Sequence, residues 1–321
     1  MKLTTEKAPD RASTGFGSGT RFGLGDRVFS GMALGAGLVI LVALAAVFVF
    51  LLVQGQDGFH ADPKLYAPAA SNFVSYAAKL LFGTVLAAVI AMVIAVPFAI
   101  GVALFISHYA PRRLAVPVAY LVDLLAAVPS VVFGLWGGRT LAHELQPLQA
   151  WLGDHLGWLP FFSGQVSSTG RTILVAGVVL AIMILPITTA ICREVFQQTP
   201  RLHEEAALAL GATRWEMIRY AVFPHSRSGI VAGVMLGLGR ALGETMAVTM
   251  VLSAGGPLVT WRLITSDNPA TIASNIASQF NGENVGIQSV LLGTGLVLFV
   301  FTFAVNFIAR AVVTRAERKL A

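Results

Sequence analysis

The chain has 321 residues; 56% are hydrophobic, only 12% are charged, and the formal net charge is +6. A soluble domain carries about 25% charged residues, so this composition excludes an ordinary soluble globular fold. The basic residues flank apolar stretches, which points to orientation in a membrane and away from nucleic acid.

Residues 1–29 form a polar leader rich in Gly, Ser and Thr, read as a flexible cytoplasmic tail. Its GFGSGTRFGLG stretch has no Gly-Lys-Ser/Thr ending and no preceding strand, so it is not a phosphate loop. Six windows of about 20 residues then qualify as transmembrane helices. They lie near 31–53, 80–106, 117–137, 172–192, 229–252 and 289–313. The fold class is therefore all-α, a six-span domain over 30–315 with a short cytoplasmic tail at 316–321. The first apolar run exceeds the 7–15 residues of a signal-peptide core, so it is not read as cleavable. Pro97, Pro129 and Pro186 fall within spans, where neighbouring helices can satisfy the freed backbone groups.

Positive charge sets the orientation. With the N-terminus inside, 16 of the 22 Lys and Arg fall in cytoplasmic segments and 5 outside, while Arg240 lies within a span. Both termini are thus predicted to be cytoplasmic. Asp123, in the third span, is a candidate partner for Arg240 or another basic group across the bundle. The largest outside loop, 138–171, carries Trp151 and Trp158 and is predicted to lie on the membrane surface or to hold a short helix. His143, Glu144 and His155 in it match no standard zinc spacing, so no metal site is expected. Cys192, the one cysteine, is expected to be buried and inert.

The fourth-to-fifth connection carries helix punctuation. Thr199-Pro200 reads as a helix start, with a capping hydroxyl before a first-turn proline. Glu204 and Glu205 favour the first turns. Leu202, Ala206 and Leu210 form an apolar face, and Gly211 is placed to end the helix in a left-handed conformation. Thr213 and Glu216 fit a capping box for a second helix, which Pro224 stops or kinks. A bent, two-helix cytoplasmic loop is the result. A loop merely lying on the bilayer is the competing reading.

The fifth span begins with Gly229, Gly233 and Gly237, and the interval repeats at Gly239 and Gly243, spacing that permits close helix approach. Arg240 and Glu244, four residues apart, are predicted to share one face. Two readings stay open from the residues alone. One is a self-neutralising structural ion pair. The other is a substrate path in which the arginine fork meets a passing oxyanion.

Two strings then carry a resemblance. Glu205-Ala206-Ala207, followed by Gly211 and an apolar stretch ending at Pro224, resembles the EAA loop of ABC importer permeases. Ala221 and Phe223 stand where that pattern commonly has isoleucine and leucine. The string from Gly239 to Val248 resembles the PstC-type permeases of phosphate ABC importers; Thr245 differs from the aromatic residue common in sulfate and molybdate permeases. The resemblance covers roughly residues 30–315. It implies a type I importer permease subunit for inorganic phosphate, with Glu205, Ala206, Ala207, Gly211 and Pro224 in the loop that docks on an ATPase. It implies a PstA-like permease partner, a PstB-like ATPase dimer carrying ATP and Mg, and a PstS-like phosphate-binding protein. Arg240, Glu244 and Asp123 become candidates for the substrate route. The sequence has no Gly-x4-Gly-Lys-Ser/Thr loop, so hydrolysis is expected on a separate subunit and no cofactor on this chain. Alternatives are a permease for another oxyanion, such as sulfate or molybdate, or an ATP-independent carrier.

Overall fold

A computed structural model describes residues 24–65, 70–252, 259–280 and 285–318. The leader up to residue 23 and the last three residues lie outside the described residues. Among those described, the regular elements are all helical. By contacts the chain divides into two units, Met1–Val49 and Phe50–Ala321.

The first long helix, α1 (Leu24–Phe59), is largely apolar on every side, and the most apolar 18-residue window of its span Val28–Phe59 has a mean hydropathy of 3.2 and no buried residue. A helix apolar all round has no soluble face to present, which fits lipid contact. Next come α2 (Phe73–Leu104), α3 (Arg112–Ala126), α4 (Ser130–Trp136), α5 (Ala142–Glu144) and α6 (Gln146–Leu156). They are followed by α7 (Ile173–Gln197), α8 (Arg201–Ala209), α9 (Arg214–Met217), α10 (Phe223–Gly243), α11 (Met246–Val251), α12 (Ile272–Gln279) and α13 (Val285–Arg318). Three π turns interrupt the series, at Phe105–Tyr109, Gly137–Leu141 and Ile218–Val222.

In the second unit α2 and α7 form the centre. Ala87, Ala91 and Ala95 of α2 meet Val179, Leu180 and Ile184 of α7 in the largest buried cluster. The small side chains let the helices approach closely, as membrane helix packing requires. Polar ties hold the periphery. Thr84 Oγ donates to Leu80 O and accepts from Ile272 N, so α2 helps cap α12. Asn275 Nδ2 donates to the Tyr76 hydroxyl at 2.9 Å. Asn268 accepts from Ile173 N and donates to Arg171 O, fixing the entry to α7.

Length and composition mark four helices as able to cross a membrane, or five if one bent pair counts as a span. Two of the six predicted spans are broken. The third is not straight: Arg112–Ala126 and Ser130–Glu144 meet at 91°. Val128 precedes Pro129, and a residue before proline is driven out of the helical region. The fifth ends at Gly243 and restarts at Met246, which separates its apolar end from its glycine-rich start. Beyond the third span, α6 supplies the short helix expected in the 138–171 loop, with Trp151 stacked on His155 at 4.8 Å between ring centroids.

Where the chain crosses closely, glycine is required. A β-carbon at Gly83 would meet the carbonyl oxygen of Ala270. Gly83→Val is expected to destabilise the protein by about 1–3 kcal/mol through overpacking. Thermal unfolding in detergent checks this, and an unchanged midpoint would mean that the crossing is loose.

Candidate functional site

The loop between α7 and α10 folds from local signals. α8 ends at Gly211, whose φ is +86°. Ala212 N donates to Ala207 O at 3.2 Å and Gly211 N to Leu208 O at 3.0 Å. These two bonds form a Schellman ending, which needs the left-handed residue that glycine supplies without a steric penalty. α9 opens with a complete capping box: Thr213 N donates to Glu216 Oε2 at 2.8 Å, and Glu216 N donates to Thr213 Oγ1 at 3.3 Å. The backbone and hydroxyl hydrogen bonds from Thr213 hold the Glu216 carboxyl below the usual carboxylate range.

Two details differ from the sequence expectation. The cap of α8 is Pro200 and makes no side-chain hydrogen bond. The Thr199 hydroxyl is buried 3.4 Å from Ser226 Oγ instead, because a tertiary partner on α10 outcompetes the local cap. Nor does Pro224 stop the chain. It sits in the first turn of α10, directly after the π turn at Ile218–Val222, where Phe223 N reaches back to Ile218 O. Proline cannot donate to Tyr220 O, and the widened turn absorbs that missing bond.

α8 has two unlike sides. Glu204 and Ala207 turn inward, while Leu202 and Leu210 are exposed, Leu210 by 90%. Glu205 and Ala206 are also exposed. Inward, Ala207 packs on a small core of Ala103, Leu104, Cys192, Phe196, Met217, Ile218 and Val222. Cys192 is buried there. His108, in the π turn that ends α2, lies 3.4 Å by Nε2 from Glu204 Oε1, and its Nδ1 is 2.7 Å from Ser107 Oγ. This link ties the loop helix to the end of α2. Its partners are 96 residues apart, so no local pattern announces it.

α10 also has two sides. Gly229, Gly233 and Gly237 face α7: added β-carbons would press on Val195, on Ile191 and on Thr188 respectively, the last at 2.8 Å. Gly239 and Gly243, which continue the interval, have nothing within 4 Å of such a carbon. The second side lines a cavity of about 840 Å³, together with Ile187 of α7 and Asn306, Ala309 and Arg310 of α13. Arg240 is part of this wall. It is half-buried and has no hydrogen-bond or ion-pair partner among the described residues.

Arg240 and Glu244 do not share a helix face. The helix ends between them, with Glu244 extended at φ −69° and ψ 124°. Glu244 Oε1 accepts from Ala247 N at 3.1 Å, so the carboxylate satisfies a first-turn donor of α11. Asp123 also has a different partner from Arg240: both its oxygens lie 3.5 Å from Arg193 Nη2. Among the described residues, no three His, Cys, Asp or Glu side chains converge to hold a metal ion.

The described residues thus combine apolar spanning helices, a bent two-helix loop seated on their core and a broken glycine-rich helix. Residues 95–320 match the family described as binding-protein-dependent transport system inner membrane component. The chain is 46% identical over 298 residues to the phosphate transport system permease protein PstC 2 of Mycobacterium tuberculosis, covering 90% of this chain and 91% of that one. It is 37% identical over 330 aligned positions to PstC of Xylella fastidiosa, covering 99% of each. A crystal structure of a bacterial ABC transporter involved in the import of the acidic polysaccharide alginate aligns with a TM-score of 0.50, covering 89% of this chain and 96% of that one. At 16% identity this last likeness shows the fold alone. The chain belongs to the binding-protein-dependent inner-membrane transport components and, among them, to the PstC permeases. It is a multi-pass transport subunit and not an enzyme, and it works with other components of an ABC transporter.

The capping box yields a pH expectation. A carboxyl held low in the fold stabilises above its unfolded pKa and loses that contribution as pH falls through the folded value. Acidification is expected to loosen the first turn of α9 in the native chain. Glu216→Gln, which keeps an acceptor without a titrating group, is expected to flatten that response. Hydrogen exchange of amides 213–217 across the acid range reads the difference; matching profiles would remove the carboxylate from the box.

Proposed function

We propose that this chain is the membrane-spanning permease subunit of an ATP-driven importer of inorganic phosphate. The observation that carries the reading is Arg240: a guanidinium without a partner among the described residues, in the wall of a cavity, in a chain whose relatives are phosphate permeases. A guanidinium offers parallel donors to an oxyanion, and mostly apolar walls strengthen the attraction. Glu244 holds the helix break beside it, and so sets where Arg240 ends its helix. Asp123, paired with Arg193, supports the bundle around the route and does not line it.

Energy enters through the loop of α8 and α9. Its exposed surface presents the apolar Leu202, Ala206, Leu210 and Trp215 beside the charged Arg201, Glu205 and Arg214. An apolar patch on a membrane protein's soluble loop fits a partner's groove. We assign that partner as a PstB-like ATPase dimer, which carries ATP and Mg. Glu205, Ala206, Ala207, Gly211 and Pro224 form or shape the docked segment. Closure of the dimer would push α8, and the inward side of α8 would carry the push to α2 through Glu204 and His108 and to α7 through the core around Phe196. A PstA-like permease completes the open side of the cavity, and a PstS-like protein delivers phosphate from outside. Both termini are cytoplasmic in this arrangement.

Arg240→Ala is expected to abolish phosphate uptake at unchanged recovery of the complex; uptake at the native rate would take Arg240 out of the route. Gly211→Val should weaken ATPase docking, because a β-branched residue resists the positive φ there. Co-purification with the ATPase measures this, and full recovery of the complex would count against the bend. Competition among phosphate, sulfate and molybdate for uptake in reconstituted vesicles tests the substrate, and preferential sulfate or molybdate uptake would overturn the phosphate assignment.

A further inference from the structure

The wall that holds Arg240 contains a second guanidinium. Asn306 and Arg310 lie four residues apart on α13, on one helical face, and both line the same cavity. With Ser228 and Arg240 they are its polar groups; the remaining lining residues are glycine or apolar. No Asp or Glu belongs to the described lining. The space is therefore biased toward anions from two helices that are not neighbours in sequence.

The cavity runs along α10 from Ser228 to Arg240, about 18 Å at 1.5 Å per residue. One arginine at the end of such a length would hold an anion at a single place. Passage needs sites that attract enough to admit an ion and share the load enough to release it. Arg310 supplies a second fork, and the Asn306 amide adds a donor that recognises an oxyanion without adding charge.

We propose that Asn306 and Arg310 form a second anion-holding position, so that phosphate passes between two guanidiniums within one cavity. The proposal rests on the reading of Arg240 as part of the route. Arg310 thus has a role beyond the orientation that a basic residue near a span end ordinarily serves.

The test uses the assembled complex in vesicles. Cys192 is the one cysteine and is buried, so Ala309→Cys in a Cys192→Ala background places a single reporter thiol in the cavity wall beside Arg310. Its labelling by a methanethiosulfonate reagent is followed with and without inorganic phosphate. At ten times the half-saturating concentration, phosphate should slow labelling about tenfold, and Arg310→Gln added to the reporter should remove most of that protection. Arg310→Lys keeps the charge needed for orientation but loses the fork, and should restore only part. Asn306→Ala gives a second variant should Arg310→Gln fail to assemble, and it should also reduce protection. Absent protection of the parent reporter by phosphate and by sulfate alike, or protection unchanged by Arg310→Gln and Asn306→Ala, would overturn the two-position route. Protection by sulfate alone, lost in Arg310→Gln, would uphold the second position while refuting phosphate as the substrate.

Discussion

Backbone polar groups released inside a lipid environment must find partners within the protein, and the functional half of this molecule is organised by how it meets that demand. The chain breaks twice within predicted spans, at 127–129 and at 244–245. At the second break the Glu244 carboxylate accepts from Ala247 N. The broken pieces then pack together: a β-carbon at Gly134 would lie 2.8 Å from the Ala247 Cα, and one at Gly138 would lie 3.3 Å from the Met250 carbonyl carbon. From α4 into the π turn that follows it the contacts advance in the same sense as along α11, so the two segments run in parallel. Arg171 Nη2 donates to Met250 O at 2.9 Å and secures the far end of α11. An ionisable residue that looks like half of a salt bridge thus serves as a helix cap.

The division of α10 into two sides follows from the same economy of space. Glycines at intervals of four let it press against α7, where added β-carbons would collide at Gly229 and Gly237 and crowd Ile191 at Gly233. The opposite side is left to line a cavity, and Arg240 falls on it. A helix that was bulky all round could not be both tightly seated and open. The loop helix α8 repeats the scheme on a smaller scale, with Glu204 and Ala207 turned toward the core and Leu202 and Leu210 turned away.

What could be read from the sequence was local. The Gly211 bend, the Thr213–Glu216 box and the stripe from Gly229 to Gly237 all rest on spacings of three or four residues. They stand as expected because no distant group competes for them. The Thr199 cap did not, since Ser226 claims that hydroxyl from another helix. Asp123 pairs with Arg193, one of the other basic groups across the bundle that the sequence left open beside Arg240, and packing, not chain order, selects it. The breaks were hidden because apolar averages run smoothly across them; Pro129 was the one local hint. Arg310 and Asn306 did have a signal, a four-residue interval inside the last span, but charge near a span end reads first as an orientation marker.

The π turns carry a further implication for how such chains change over time. Two of them hold one surplus residue between helical segments, as at Ile218–Val222, where Phe223 N bonds five residues back to Ile218 O. Rewinding that turn as plain α-helix with the residue retained would turn everything downstream by about 100°. The guanidinium that now looks into the cavity would swing toward a neighbouring helix or the bilayer. By taking up the surplus residue, the wide turn in a surface loop preserves the angular phase that decides which way the interior of the span looks.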